Sequence, residues 1–513
     1  RIHLQQGERA LALKQFEACR EILMRELGVE PDEETALLAK EARNNTAGGP
    51  DRAPAPPQQA SVPGAAPTPA SPARHPTQQR RLYRWAVGAI AAVFLLASTA
   101  MTGWFFWEQH SATPTQEGIS IAVLPFKNLS GDPDQDYFAD GVTEDLITDL
   151  SQLSGLLVIA RNSTFKYKDR PVSPQQIGEE LGVRYLLEGS MRRAAGRIRV
   201  NAKLIEAQSG HHLWAERFDR ELTDVFALQD EVVEKIVTAL KIEVTQRERE
   251  QLDRRRETTP EAYDMFLRGQ QKFLKFSQET NLEAREIFLR ATKLDPGYAR
   301  AWANAAITHL FAISVSWSSS PEESARIGKA LALKALELDP TVREVHFTLG
   351  SAYLRERNFD KALATTTRSV ELDPNFADGH AQLSWILNYM GRPAEGLSSI
   401  NKAMRLHPHY SYFYEAILGQ AYFHLARYEE AAAMLERAVE RNPEFNFARQ
   451  YLAATYSHMG RIDDAEWQIS EIMAAVPDYS VEHQKQHSFY QHDSDLAHFL
   501  EGLRKAGLRE YSQ

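Results

Sequence analysis

The sequence predicts a multidomain protein with a helical hairpin, one transmembrane helix, an α/β domain with a mixed sheet, and an all-α solenoid of repeats. Three observations carry this fold class. The 23 residues between Arg84 and Glu108 contain no charged side chain, residues 119–243 alternate strand-like and helix-like segments, and prolines recur at nearly constant spacing from Pro296 to Pro477. Because 513 residues far exceed the roughly 150 expected of one domain, several folded units are predicted.

Composition excludes several classes of protein. A net charge of -10, from 59 basic and 69 acidic residues, argues against a protein whose main task is to coat nucleic acid. A mean hydropathy of -0.43 excludes a polytopic membrane protein. Since Cys19 is the only cysteine, a disulfide framework or a cysteine-based zinc site cannot form within one chain.

A helical hairpin is predicted over residues 1–44. Apolar residues recur at helical spacing up to Gly28, which stops the first helix, and Pro31 opens the second. The chain begins at Arg1 inside a helical pattern, so we expect it to be a fragment. Residues 45–83 form a predicted linker, because residues 45–80 hold nine prolines and eight alanines but no Phe, Tyr, Trp, Leu or Ile.

A transmembrane helix is predicted over residues 84–107, with lipid contact through 85–107. Its 23 uncharged residues would span roughly 34 Å at 1.5 Å per residue, and Trp85 and Trp107 would lie at the two interfaces. The arginines that precede it place the N-terminus in the cytoplasm and the C-terminus in the periplasm, as in a single-pass protein of the bacterial inner membrane. An uncleaved signal peptide or a buried core helix is the alternative.

Residues 119–243 are predicted to form the α/β domain. ISIAVLPF and GLLVIAR have the composition of buried strands, DYFADGVTEDLITDLSQL that of an amphipathic helix, and RIRVNAKLIEA with HHLWAERFDR that of a hairpin. One long helix is expected to run from Asp224 to about Arg255.

About six repeats are predicted over residues 261–479, followed by capping helices over 480–513. The spacings between successive prolines are 44, 34, 34, 35 and 34 residues, and 34 is the period of the tetratricopeptide repeat; the prolines are Pro296, Pro340, Pro374, Pro408, Pro443 and Pro477. The pattern Leu349, Gly350, Tyr353 recurs as Leu418, Gly419, Tyr422. We place the ten extra residues of the first interval around 311–321.

Two segments resemble known families. Residues 1–43, with the run ELGVEP, resemble the end of the bacterial transcriptional activator domain; a generic tetratricopeptide-like hairpin is the alternative. Residues 119–243, with IAVLPFKNLSGDPDQDYFADGVTEDLITDLSQL and HLWAERFDREL, resemble the TolB amino-terminal-like domain of CadC-type regulators and some cyclase-associated proteins. The second resemblance implies a non-catalytic module that senses or docks.

Catalytic, metal and cofactor sites are not predicted. Asp132, Asp134 and Asp136 have the spacing of a calcium loop, but Thr143 stands where that loop needs glutamate. His483 and His487 lie four apart without the glutamate of a zinc protease between them. We expect the chain not to be an enzyme.

The concave face of the repeats is the predicted binding site for a protein or an apolar or aromatic peptide. The first helix of each repeat lines that face at fixed positions, which here fall on Phe347, Leu354, Arg355, Trp385, Asn388, Tyr389, Phe413, Phe423, His424, Phe447 and His458. In the alternative interpretation, several of these aromatic residues pack against the inserted loop or the C-terminal helix.

The leading functional prediction is a membrane-anchored, signal-transducing transcriptional regulator whose outer domains bind a protein or peptide signal. DNA would be bound only by a domain missing from this chain, and a homodimer is left open. The regulatory part of a membrane nucleotide cyclase and an envelope scaffold for protein interactions are the alternatives.

Overall fold

The computed structural model describes residues 118–253 and 258–511. The first of these ranges contains a mixed six-stranded sheet. The strand order is β3-β1-β4-β5-β6, with β2 beside β4; the β3-β1-β4 and β2-β4 pairs are parallel, while β4-β5-β6 pair antiparallel. The strands are β1 (Ile119–Val123), β2 (Lys127–Asn128), β3 (Leu156–Val158), β4 (Tyr185–Ala194), β5 (Arg197–Glu206) and β6 (His212–Glu221). The mixed sheet predicted from the sequence is present.

Five α-helices accompany the sheet: α1 (Asp136–Ser151), α2 (Arg161–Thr164), α3 (Pro174–Leu181), α4 (Val225–Leu240) and α5 (Gln246–Asp253). The prediction of one long helix over 224–255 is wrong, because Lys241 adopts a left-handed conformation at φ 53° and ends α4. A capping box then starts α5: the Thr245 N–H donates to Glu248 Oε2 at 2.8 Å, and the Glu248 N–H donates to Thr245 Oγ1 at 3.2 Å.

Six antiparallel helix pairs follow within residues 260–475. They are α6 (Pro260–Phe273) with α7 (Gln278–Leu294), α8 (Ala299–Ser314) with α9 (Pro321–Leu338), α10 (Arg343–Arg355) with α11 (Phe359–Leu372), α12 (Ala377–Tyr389) with α13 (Pro393–Leu406), α14 (Tyr412–His424) with α15 (Tyr428–Arg441), and α16 (Asn446–His458) with α17 (Ile462–Ala475). Two more helices, α18 (Val481–His487) and α19 (Asp493–Lys505), come after the pairs.

Small residues let the two helices of a pair approach closely. A Cβ added at Gly419 of α14 would lie 2.6 Å from Leu435 of α15, so glycine is required there.

The ten extra residues predicted around 311–321 belong to the second pair and are mostly helical. Its helices α8 and α9 have 16 and 18 residues, against 13 and 14 in α10 and α11.

The first helix of each pair is followed by one residue in the left-handed backbone region. These residues recur with the repeat: Phe276, Ser316, Arg357, Gly391, Ala426 and Gly460. Since only glycine adopts this conformation without a steric penalty, four of the six turns carry local strain.

Replacing Ala426 with glycine should raise the free energy of unfolding by roughly 1 kcal/mol, because the strain at φ 55° is relieved. Gly460→Ala should lower it by a similar amount, and only through the backbone, since nothing lies within 4 Å of the added Cβ. Urea unfolding of both variants measures the pair. Shifts of the same sign would contradict this explanation.

The sheet and the first helix pairs share one apolar core. Leu146 of α1, Val232 of α4, Phe266 of α6 and Phe288 of α7 are buried in the same cluster. The close approach of α1 and α6 depends on Gly141, where a Cβ would lie 2.5 Å from the Leu267 side chain.

The loops between successive repeats, which carry the regularly spaced prolines, pack against the sheet domain. Asn375 donates from Nδ2 to the carbonyl oxygens of Ser151 at 2.9 Å and Leu156 at 2.8 Å. One repeat later, the His409 N–H donates to Ser163 Oγ at 3.1 Å, and the Ala160 N–H donates to the carbonyl oxygen of Leu406, the last residue of α13, at 2.8 Å. Contacts at two successive loops fix the sheet domain along this edge of the solenoid.

The predicted fold class needs one correction, which concerns the membrane helix. Among residues 118–253 and 258–511, no helix is both long enough and apolar enough to cross a bilayer. Even α9, the longest of the repeat helices at 18 residues, carries charged side chains along its length, such as Glu323, Lys329 and Lys334. The span expected over 84–107 lies outside the described residues and is not supported. The fold class is therefore a mixed-sheet domain with a helical repeat solenoid.

The predicted location in the bacterial inner membrane, with a periplasmic C-terminus, depended on that span and is corrected with it. The lipid contact expected through 85–107 likewise lies outside the described residues and has no support. The predicted hairpin over 1–44 and the linker over 45–83 also lie outside them.

Candidate protein-binding groove

The residues predicted to line the concave face differ in how much of each side chain reaches solvent. Arg355 is exposed. Six side chains are partly buried: Phe347, Trp385, Phe413, His424, Phe447 and His458. Four are buried: Leu354, Asn388, Tyr389 and Phe423. Their role in binding stays a prediction, but the buried four have structural contacts of their own.

An aromatic cluster joins the first helices of three successive pairs. The Trp385 ring of α12 lies 5.7 Å from those of Tyr389 and Phe413 and 6.3 Å from that of Phe447, measured between centroids. The Phe447 ring in turn lies 5.0 Å from that of Tyr451. These distances are within the range of favourable ring contacts.

A second cluster lies farther along the same helices. The Phe423 ring contacts those of His424, Tyr451 and His458, with centroids 5.3, 5.6 and 5.8 Å away. Four predicted residues stand apart from both clusters, namely Leu354, Arg355 and the two that follow. Phe347 contacts Phe376 at 5.3 Å, and the Asn388 side chain donates to the Ile417 carbonyl oxygen at 3.2 Å.

The C-terminal part of the chain covers these clusters. The Tyr490 ring lies 5.3 Å from that of Tyr389 and 5.4 Å from that of His424. Phe499 of α19 stacks on Tyr451 at 4.5 Å. The contacts correspond to the alternative interpretation of the sequence, in which aromatic residues of the concave face pack against the C-terminal helix. The sequence signal that could have indicated this packing is the adjacent aromatic pair Phe489 and Tyr490, which follows the last repeat proline.

The histidines of this region are held neutral. Burial lowers the pKa of His424 to about 3, with a further contribution from His498. Burial also lowers the pKa of His458 and of His498, whose rings stack at 4.2 Å. The His498 Nε2 atom lies 3.1 Å from the Tyr428 hydroxyl. These three histidines are therefore neutral near pH 7.

Acid should destabilise the fold through His424. Its pKa is about 3 in the folded chain against about 6.5 in an unfolded one, so the unfolded chain binds the proton first. The stability that depends on a neutral His424 is fully present above pH 6.5 and is lost as the pH falls toward 3. Between pH 7 and pH 5, the free energy of unfolding of the unchanged protein should fall by about 2 kcal/mol more than that of His424→Gln. Urea unfolding at both pH values gives the two losses, with His212→Gln, at an exposed residue of β6, as the control. Equal losses would exclude His424 as the source.

A polar cavity of about 120 Å³ lies between α1 and the loops that precede α8 and α10. The Arg300 Nη2 atom is 2.9 Å from Asp145 Oδ1, and the Tyr263 hydroxyl donates to Asp145 Oδ2 at 2.5 Å. Arg343 forms an ion pair with Asp373. Asp145 thus pairs with Arg300 across the two domains, and Arg343, besides its pair with Asp373, contacts the Ser151 and Thr148 hydroxyls of the sheet domain at 3.3 Å each. These contacts of the interface explain the polar lining of the cavity.

The histidine and acidic residues weighed as metal ligands take part in local contacts. Asp132 Oδ1 accepts from the Asp134 N–H at 3.0 Å, and Asp136 accepts from Asn128 Nδ2 at 2.7 Å. Within residues 118–253 and 258–511, no three His, Cys, Asp or Glu side chains are grouped as a metal would require.

Family models match four parts of the chain. Residues 116–235 match the second domain of HilA/YgeH-like transcriptional regulators, and residues 3–43 match the bacterial transcriptional activator domain. Residues 343–376 and 422–485 match tetratricopeptide repeat models. The predicted activator-type segment and the repeats are thus confirmed, whereas the TolB-like and CadC-like assignments are not. All four models are of regulatory or repeat type.

Two curated proteins are similar to parts of the chain. "Putative adenylate cyclase 3" of Rhizobium meliloti (strain 1021) is 48% identical over 243 residues, which are 47% of this chain and 41% of that protein. "Protein O-mannosyl-transferase Tmtc3" of Drosophila melanogaster is 30% identical over 87 residues, which are 17% of this chain and 9% of that protein. The chain therefore spans less than half the length of either relative.

Solved structures with a similar repeat fold include PilW, a type IV pilus biogenesis factor, at 20% identity and a TM-score of 0.32 over 41% of this chain and 89% of PilW. YrrB, described as a tetratricopeptide protein with an unusual peptide-binding site, has 18% identity and a TM-score of 0.28 over 37% of this chain and 93% of YrrB. A thermophilic tetratricopeptide protein of Thermus thermophilus has 19% identity and a TM-score of 0.30 over 38% of this chain and 98% of that protein. These are similarities of fold and extend to no statement on function.

Proposed function

We propose that this chain is the partner-binding part of a transcriptional regulator, in which the repeats bind a protein or peptide signal. The observation that carries the proposal is the occurrence of two regulator-type domain matches and protein-interaction repeats in one chain. Repeat solenoids of this kind present extended concave surfaces suited to partner binding. The predicted domain boundaries are kept as part of the proposal, apart from the membrane helix that was corrected above.

The concave face of α10, α12, α14 and α16 is the proposed binding surface. Of the predicted residues, Arg355 is exposed, and Trp385, Phe413 and Phe447 are partly buried, so their side chains can contribute contact area. Transmission to the sheet domain would use the polar interface at Asp373, whose Oδ2 accepts from the Ser151 hydroxyl at 2.7 Å. Since the repeat loops and the sheet domain share these contacts, a change in the repeats reaches the regulator-type domain directly.

Transcript profiles of the native host test the proposal. A strain that lacks the gene should change the transcripts of a defined gene set, and the unchanged gene should restore them. Phe413→Ala, which removes a ring from the proposed surface, should fail to restore them, whereas Ile462→Ala, at an exposed residue of α17, should succeed. Thermal unfolding of both variants checks that they fold. Full restoration by Phe413→Ala, or no transcript change in the strain without the gene, would contradict the proposal.

A nucleotide cyclase under the control of the same surface is the second candidate, supported by the 48% identity to a protein named as an adenylate cyclase. Cyclic AMP measured in the same strains separates the two. A transcript change at constant cyclic AMP supports the transcriptional regulator. A cyclic AMP level that falls in both the deletion and the Phe413→Ala strains supports the cyclase.

A further inference from the structure

Residues 488–490 cross the concave face without forming a helix or a strand, and the chain bends at Gln491 and His492 before α19 begins. Residues 488–492 connect α18 to α19, and the backbone is extended at Ser488 (φ -77°, ψ 149°) and at His492 (φ -109°, ψ 130°). Along this path they meet the first helices of three successive repeats, α12, α14 and α16, through contacts at Tyr389, His424 and Tyr451.

Main-chain and side-chain contacts both hold this segment. The Gln491 N–H donates to the Tyr389 carbonyl oxygen at 2.9 Å. The Tyr490 hydroxyl lies 2.6 Å from the Tyr451 hydroxyl and 3.3 Å from His424 Nε2. Phe489 adds a ring contact to Tyr389 at 5.8 Å. Grooves commonly bind peptides in this way, through main-chain hydrogen bonds together with side chains that enter pockets.

The helices on either side of the segment have anchors of their own. The Val481 N–H of α18 donates to the Arg509 carbonyl oxygen at 2.9 Å. In α19, Gly502 approaches α16 so closely that an added Cβ would lie 2.8 Å from Ala454 Cβ. The five residues between the helices can therefore leave the groove as a loop while both helices stay in place.

We infer that the concave face of α12, α14 and α16 binds a non-helical peptide segment with two adjacent aromatic residues, and that residues 488–492 occupy this site in cis. The inference rests on the proposed function and names the class of its ligand, a partner segment with an aromatic pair in place of Phe489 and Tyr490. The ligand is aromatic and uncharged at its centre, because Phe489 and Tyr490 occupy that place in the chain. A tethered competitor acts at high effective concentration, so the site is closed to weak ligands.

Fluorescence anisotropy with the 513-residue chain tests the inference. The probe is a fluorescein-labelled peptide with the sequence of residues 484–493, QKQHSFYQHD. We expect the Phe489→Ala/Tyr490→Ala variant to bind it about tenfold or more tightly than the unchanged protein, because the tethered competitor is weakened. Trp467→Ala, at a residue 57% exposed elsewhere on the solenoid, is the matched control and should bind like the unchanged protein. A probe with alanine at both aromatic positions should not bind either form.

Hydrogen exchange on the unchanged protein gives an answer that does not depend on how the double variant folds. Excess unlabelled peptide should speed the exchange of the Gln491 amide, since its hydrogen bond to Tyr389 is broken when the segment leaves. The inference is overturned if the peptide binds both forms equally or not at all, or if the Gln491 amide stays protected at saturating peptide.

The outcomes also separate this inference from the proposed function. Peptide binding to the emptied groove, together with full transcript restoration by Phe413→Ala, would sustain the site and contradict the regulatory role. Failed peptide binding, together with a transcript defect in Phe413→Ala, would overturn the aromatic-pair ligand and leave the regulator with another surface.

Discussion

Arg343→Ala is expected to lower the free energy of unfolding by about 3 kcal/mol, because it leaves a carboxylate buried without its cation. The Asp373 side chain is 1% exposed and forms an ion pair with Arg343. Its Oδ2 atom also accepts from the Ser151 hydroxyl at 2.7 Å, but a neutral donor does not replace the guanidinium charge. Urea unfolding of the full chain at pH 7 measures the loss.

Arg326→Ala is the matched control for this prediction. Arg326 pairs with Glu323 one turn away on the same helix, and its side chain is 71% exposed. Since exposed pairs contribute little, its stability should stay unchanged within error. The double variant Arg343→Ala/Asp373→Ala should lose less than the sum of the two single losses, because the unpaired charge is gone. Equal losses of unfolding free energy in Arg343→Ala and Arg326→Ala would show that the buried Asp373 carboxylate does not need its cation for stability.

The repeat architecture could be predicted because each helix pair is specified locally. Gly350 and Gly419 recur where two helices must touch, and Pro374 and Pro408 recur where the second helix has ended. These signals act between residues that are near in sequence, so their period survives in the amino-acid order. The break at Lys241 was missed because lysine rarely adopts a left-handed conformation, and propensity alone favours a continuous helix.

The cover of the concave face could not be predicted in this way. Tyr490 contacts Tyr389 and His424, which lie about a hundred and about seventy residues earlier in the chain. The repeat period assigns Phe423 and Tyr389 to the concave face, but it does not predict which residues from outside the repeats pack on them. The sheet domain's contacts with Asn375 and Leu406 were missed for the same reason, since they join loops of the repeats to a separate part of the chain.

Phe423→Ala is expected to lower the free energy of unfolding by about 4 kcal/mol, although Phe423 was predicted from the sequence as a groove residue. Its side chain is 0% exposed, and its ring has Tyr451, His498 and Phe499 within 6.0 Å, so truncation leaves a cavity between α14, α16 and α19. Phe423→Leu, which keeps most of the volume, should lose much less. Urea unfolding at pH 7 distinguishes the two variants.

Arg355→Ala, at another residue predicted to line the concave face, provides the opposite case. Because this side chain is exposed, its removal should leave the free energy of unfolding nearly unchanged. A binding defect in Phe423→Ala would then report lost packing of α19, whereas one in Arg355→Ala would report a contact with the partner. If Phe423→Ala instead unfolds like the unchanged protein, α19 does not pack on α14 in solution.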